Sequence, residues 1–168
     1  MTEGVQQGDA LMRTWLRFVR MNQRLYAAMN QELRRLDLSI PQFDVLSTLT
    51  EREGITQQEL AERLYVTKGN VSGLVDRLAA SGLVVRQPIA GDRRSYALHL
   101  TEKGRALAER GIAAQRAYVE RTLGVLPHTD IAELERVLLA WRDILRRDEE
   151  DRSGSAGRTG RIRSPAAE

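Results

Sequence analysis

The sequence predicts a mainly α, α+β fold: a helix-turn-helix unit with a β-hairpin wing, set between long helices at both ends of the chain. Three observations predict it. Apolar residues recur at three- and four-residue spacing over most of residues 9–147. That period gives way to two only between Leu83 and Leu100. Caps at Ser39, Thr56 and Thr67 divide the intervening segment into three short helices. With 168 residues, 42% hydrophobic and 29% charged, the chain is long enough for one core and is not of disordered composition.

The first helix is expected over Asp9 to Asp37. Leu11, Trp15, Phe18, Asn22, Leu25, Met29 and Leu36 recur at spacings of three, four or seven, with arginines between them. No proline or glycine interrupts the run, so a helix of about 25 residues, roughly 38 Å, is predicted. A helix that long needs an apolar partner along its length, and a second subunit is one source.

Ser39 caps the second helix, with Pro41 in its first turn, Gln42 at the third helical position, and Phe43, Leu46 and Leu49 as the buried stripe. Gly54 and Ile55 connect to Thr56-Gln57-Gln58-Glu59, a capping box opening a helix that buries Leu60, Ala61 and Leu64. Thr67 caps the next helix, which buries Val71, Leu74, Val75 and Leu78 and stops at Gly82.

Leu83 to Gln87 then reads as a strand, Pro88 to Arg94 as a hairpin loop around Gly91-Asp92, and Ser95 to Leu100 as the returning strand. Tyr96, Leu98 and Leu100 share the expected buried face. A helix from Thr101 towards Leu123 follows, its stiffness lowered by Gly104 and Gly111. After Pro127, a last helix carries Ile131, Leu134, Val137, Leu138, Trp141, Ile144 and Leu145 on one broad face. Residues 151–168, with four arginines and one large aliphatic, Ile162, are expected to be a flexible tail. Residues 1–150 then form one winged-helix domain, with dimerisation segments 9–37 and 105–147 and a DNA-binding segment 39–101.

The composition narrows the chemistry. The chain has no cysteine, which excludes disulfides, thiolate metal sites and thiol redox sensing. His99 and His128 stand at no ligand spacing, so no metal site is expected. Neither a phosphate-cradling glycine loop nor a carboxylate pair suited to acid–base work can be argued, so no enzyme and no cofactor is expected. No apolar run approaches the length of about 18 residues needed to cross a bilayer, and the polar amino terminus lacks a secretory pattern. A cytoplasmic location without membrane association is the expectation.

The net charge of +3 says little by itself, but its placement says more. Once the buried stripe of the Thr67–Ala80 helix is assigned, Thr67, Lys68, Asn70, Ser72, Gly73 and Arg77 remain on or near the exposed side. Such a helix fits the major groove, and its small residues let the backbone approach closely. The hairpin adds Asp92, Arg93 and Arg94, guanidinium groups suited to phosphates or a narrow minor groove, with Asp92 aiming one of them. A solvated turn and a glycine-tolerant surface helix are the plain alternatives. A winged-helix dimer that binds ligand or protein and has weak or lost DNA binding also stays open, because Asp76 is acidic and the helix holds two glycines.

The stretch Thr67-Lys68-Gly69-Asn70-Val71-Ser72-Gly73-Leu74-Val75-Asp76-Arg77-Leu78, followed by Gly82-Leu83-Val84 and by Asp92-Arg93-Arg94 with Leu100-Thr101-Glu102-Lys103-Gly104, resembles the MarR family of bacterial transcriptional regulators. The resemblance is sharp over residues 39–104 and architectural at the two ends. It implies a homodimer whose terminal helices intertwine and whose two winged domains face one duplex. By position, Lys68, Asn70, Ser72, Gly73 and Arg77 fall on the recognition helix, and Asp92 with Arg94 on the wing. The family commonly represses its own or a neighbouring gene until a small aromatic or anionic effector releases the DNA.

A twofold pair of such helices predicts a palindromic operator with half-sites roughly 34–36 Å apart. Trp15, Arg17, Phe18 and Arg20 on the first helix are candidate pocket residues, since an aromatic beside a guanidinium suits a planar anion. Trp15 and Phe18 fit an apolar seam equally well.

Overall fold

The computed structural model describes the backbone of residues 2–159 and the side chains of residues 8–91 and 95–152. Six helices and a two-stranded antiparallel sheet follow one another as α1 (Thr2–Arg34), α2 (Ile40–Glu51), α3 (Gln57–Arg63), α4 (Lys68–Ala80), β1 (Val84–Ile89), β2 (Asp92–Leu100), α5 (Glu102–Thr122) and α6 (His128–Thr159), with a 3-10 turn at Leu123–Val125. The chain divides into two compact units between Val119 and Glu120.

In the first unit, both capping boxes form. Ser39 accepts from the Gln42 amide while the Gln42 side chain accepts from Ser39 N, and Thr56 and Glu59 repeat the exchange. Each box satisfies two otherwise orphaned donors, which sets where the short helices begin. The backbone hydrogen bond to Thr56 holds the Glu59 carboxyl below the usual carboxylate range. Three helix ends share one closure. Leu38 N donates to Leu33 O, Val66 N to Ala61 O, and Leu83 N to Leu78 O, with Asp37, Tyr65 and Gly82 at positive φ in the three turns. These are Schellman motifs.

The core draws on every element of this unit. Leu33 of α1, Phe43, Val45, Leu46 and Leu49 of α2, Leu60 of α3, Val71, Val75 and Leu78 of α4, Val84 and Leu98 of the hairpin, and Ala108 of α5 are all buried. Ile55 is buried too, because the α2–α3 connection bridges to β2: Gly54 N donates to Leu98 O and Leu98 N to Ile55 O, both at 2.9 Å.

The structure departs from the expectations at several places. α1 starts at Thr2 rather than Asp9, running through Gly4 and Gly8. A glycine costs about 1 kcal/mol in a helix but does not end one already nucleated downstream. The hairpin is tighter than expected: β1 continues through Pro88 to Ile89, only Ala90-Gly91 intervenes, and Pro88 pairs with Tyr96. Proline is tolerated there because this is an edge strand. Leu98 and Leu100 are buried as expected, but Tyr96 is 45% exposed, facing an open depression that it lines with Thr56, Gln57 and Lys68.

Gly104 and Gly111 are not points of weakness but points of close approach. A Cβ at Gly104 would lie 1.9 Å from Leu83 O, and one at Gly111 2.7 Å from the Phe43 ring. In the second unit α6 passes residue 151, where a tail was expected, and continues to Thr159. Ion pairs Arg146–Glu150 and Arg152–Asp148, one turn apart, support that extension. Residues 160–168 of the expected tail lie outside the described residues.

Candidate nucleic-acid interface

α4 is built to show one face. Thr67 caps it, its hydroxyl accepting from Asn70 N at 3.4 Å, and Val71, Leu74, Val75 and Leu78 point into the core. That leaves Thr67, Lys68, Gly69, Asn70, Asp76 and Arg77 exposed, with Ser72 and Gly73 half-buried at the margin. A Cβ at Gly69 would meet nothing within 4 Å, and one at Gly73 only the Arg77 guanidinium at 3.7 Å. No packing demand inside the chain explains either glycine.

The two lysines separate by role. Lys103 donates from Nζ to Ser81 O at 3.1 Å, placing its charge at the carboxyl end of α4, where the helix dipole favours a cation. Lys68, at the amino end, is exposed.

The position of α4 relative to the hairpin is held from two sides. At its carboxyl end, Thr101 Oγ1 donates to Gly82 O at 2.7 Å and Thr101 N to Leu83 O at 3.1 Å. On its flank, Arg86 of β1 pairs with Asp76. Arg86 also donates from Nε and Nη2 at 3.2 and 3.0 Å to Gln57, once the Gln57 amide is oriented with its oxygen towards the guanidinium. One β1 side chain therefore ties α3, α4 and the wing together, and the acidic residue on α4 is neutralised within the chain. Sequence reasoning missed Arg86; its signal was a cation on a strand ten residues after an unexplained carboxylate.

Glu53 performs a similar task on the opposite edge of β2. Its Oε1 accepts from Leu100 N at 3.2 Å and from Arg105 Nη2 at 2.5 Å, and His99 Nδ1 lies 3.6 Å from Oε2. The histidine sits in a structural clamp. Among the described residues, no group of three or more His, Asp or Glu side chains is arranged to hold a metal ion.

Two depressions open beside α4. The larger, a cavity of about 500 Å³, lies between α2 and α4, with Pro41 and Asp44 on one side and Gly69, Asn70, Gly73 and Arg77 on the other. Burial pushes the Asp44 carboxyl up from its ordinary value. The smaller, of about 120 Å³, is lined by Thr56, Gln57 and Gln58, by Lys68, and by Ser95 and Tyr96 of β2. The amino ends of α3 and α4 thus converge with the wing on one surface.

For the wing tip itself, Asp92, Arg93 and Arg94 begin β2, and the strand register shifts between Pro88 and Ile89 opposite them. Their side chains lie outside the described residues. The α1 residues are elsewhere: the Trp15 and Phe18 rings stand 6.3 Å apart, Arg17 and Arg20 are exposed, and none of the four lines the cavity beside α4. No helix of the described residues is long and apolar enough to cross a membrane.

Comparison with known proteins agrees with this architecture. The MarR family profile matches residues 36–95, from the turn after α1 to the wing. A helix-turn-helix transcriptional regulator of Bacillus cereus (strain ZK / E33L) is 38% identical over 104 residues, which span 62% of this chain and 69% of that protein. Among solved structures, a mutant MarR from E. coli complexed with operator DNA is 32% identical, with a TM-score of 0.66 over 74% of this chain and 90% of that one. CouR from Rhodococcus jostii RHA1, bound to p-coumaroyl-CoA, is 30% identical with a TM-score of 0.65, over 71% and 85% of the two chains. A helix-turn-helix with its wing, matched in sequence and in fold by such regulators, leads to one assignment: the chain belongs to the MarR family of transcriptional regulators, a family of DNA-binding proteins rather than enzymes.

Proposed function

We propose that the protein is a homodimeric, sequence-specific repressor whose DNA grip is released by a small aromatic or anionic effector. The observation that carries the DNA reading is the shared surface of α3, α4 and wing, with Lys68, Asn70 and Arg77 exposed on it and two α4 glycines that no internal packing explains. Thr67, Lys68, Asn70, Ser72, Gly73 and Arg77 enter the major groove, and Asp92, Arg93 and Arg94 reach the flanking minor groove. Neutralisation of Asp76 by Arg86 removes the one charge on α4 that opposed this reading.

Two further observations support the dimer. α1 exposes Leu11, Met12, Leu16 and Leu25, and α6 exposes Val137, Leu138, Ile144 and Leu145, while among the described residues none beyond Gly111 is buried. Apolar faces of that extent on single helices are ordinarily covered by a partner. Segments 9–37 and 105–147 then dimerise, 39–101 bind DNA, and Trp15, Phe18, Arg17 and Arg20 belong to the seam. The effector site best supported by geometry is the cavity between α2 and α4. Arg77 offers an anion partner there and Leu64, Val66 and Leu74 an apolar wall, so a bound ligand would occupy the flank of the DNA-reading helix.

Sedimentation equilibrium and fluorescence anisotropy test the proposal together. A twofold mass is expected, with duplex affinity falling about 10³–10⁵ between 50 and 200 mM salt if 6–10 phosphates are contacted. Aromatic carboxylates should displace the DNA. A monomer, or duplex affinity indifferent to salt, would contradict the proposal.

A further inference from the structure

Tyr65 occupies a place that its side chain makes costly. Of the three Schellman turns, one has Gly82 and another Asp37 at the residue with positive φ, types that tolerate left-handed backbone. The third, between α3 and α4, has Tyr65 at φ +54°. A bulky side chain there is an outlier, and such strain persists where it serves a function or is offset by packing. Packing does not offset it: Tyr65 is 91% exposed.

The position of the turn says what the ring would meet. Tyr65 precedes the α4 cap, Thr67, by two residues and the exposed Lys68 by three, and its neighbours Leu64 and Val66 line the cavity beside α4. In a helix-turn-helix the first helix crosses the DNA backbone and the amino end of the second reaches the base edges. The turn that joins them therefore passes along the phosphates bordering the groove. A phenol is a neutral donor long enough to reach from the turn, and tyrosine hydroxyls are among the groups that hold DNA phosphates.

We propose that Tyr65 is a DNA-backbone contact, its hydroxyl donating to a phosphate oxygen at the edge of the groove that α4 enters. The assignment rests on the DNA-binding reading above and adds to it a residue outside the α4 face and the wing tip. A neutral donor fixes the height and register of α4 on the duplex without adding to the counterion release that the arginines and Lys68 produce.

The test uses the full chain and a duplex recovered by random-site selection with the unmodified protein. Tyr65→Gly relieves the left-handed strain, so its melting temperature should equal or exceed that of the unmodified protein, while its Kd rises about tenfold for the lost bond to a charged acceptor. Tyr65→Phe should lose affinity within about twofold of Tyr65→Gly, and neither should change the slope of log Kd against log salt. Opposite movement of stability and affinity is what a purely structural tyrosine would not give. Three results would overturn the contact alone: Tyr65→Phe binding like the unmodified chain, Tyr65→Gly keeping full affinity, or Tyr65→Gly losing melting temperature together with affinity. An unmodified chain that binds no duplex would overturn the DNA reading and this contact with it.

Discussion

Gly104→Ala should destabilise the protein, against the usual sign for a glycine-to-alanine change inside a helix. Helix propensity alone favours alanine by about 1 kcal/mol. Here the new Cβ would sit 1.9 Å from Leu83 O, where a carbon–oxygen contact needs roughly 3.3 Å. The obstacle is backbone and cannot rotate aside, so α5 must retreat from the Gly82-Leu83 turn by about 1.4 Å.

That retreat strains the joint that seats α4. Thr101 N to Leu83 O at 3.1 Å and Thr101 Oγ1 to Gly82 O at 2.7 Å span the same gap. Overpacking costs about 1–3 kcal/mol and each weakened bond about 1 kcal/mol, so the net loss is about 2–4 kcal/mol. Urea denaturation followed by circular dichroism should show the midpoint lowered by about 1–2 M, given a slope of about 2 kcal/mol/M. Gly69→Ala is the control: its Cβ would meet nothing within 4 Å, and the midpoint should hold or rise. A Gly104→Ala midpoint at or above that of the unmodified chain would refute the reasoning.

Two other perturbations separate stability from binding. Asp44 carries a carboxyl whose pKa burial raises, so the folded state holds that proton more tightly than the unfolded chain does. Its ionised form therefore costs stability above the raised folded pKa, and the cost is relieved as the pH falls through it. Asp44→Asn should melt higher at neutral pH, with the gain shrinking towards the ordinary value of 3.8; a gain equally large at pH 3 would contradict this. Arg86→Ala should change stability by no more than about 1 kcal/mol, because its pair with Asp76 is solvent-accessible. It should still weaken DNA binding, by leaving Asp76 uncompensated on α4. Titrations at fixed salt should find Arg86→Ala with Asp76→Ala closer to the unmodified affinity than Arg86→Ala alone, and strictly additive effects of the two substitutions would count against the Arg86–Asp76 pairing.

What the sequence made legible was local or periodic. Ser39 with Gln42 and Thr56 with Glu59 carry their helix starts within four residues, and the α4 stripe of Val71, Leu74, Val75 and Leu78 follows from one period. What stayed hidden depends on partners far along the chain. Gly104 and Gly111 read as weak helix positions until Leu83 and Phe43 come against them. Glu53 has no evident task until Leu100 and Arg105 arrive, 47 and 52 residues later.

Tyr96 obeys the strand alternation and is still exposed, because alternation gives the face of a strand and not how closely the opposing elements pack on it. Pro88 reads as a loop residue, yet an edge strand tolerates it. At the candidate site the exposed α4 residues were legible from the helical period. Arg86 and Tyr65 were not, since one acts across elements and the other through a backbone angle that no pattern of residue types encodes.

Random-site selection with the purified full chain tests the central claim most directly: that two copies of the α4-and-wing surface, related by a twofold axis, read one duplex. Recovered sequences should be palindromic, with half-site centres about one helical turn, roughly 34–36 Å, apart. A pool with no enriched sequence, or enrichment of a single unrepeated half-site, would contradict it.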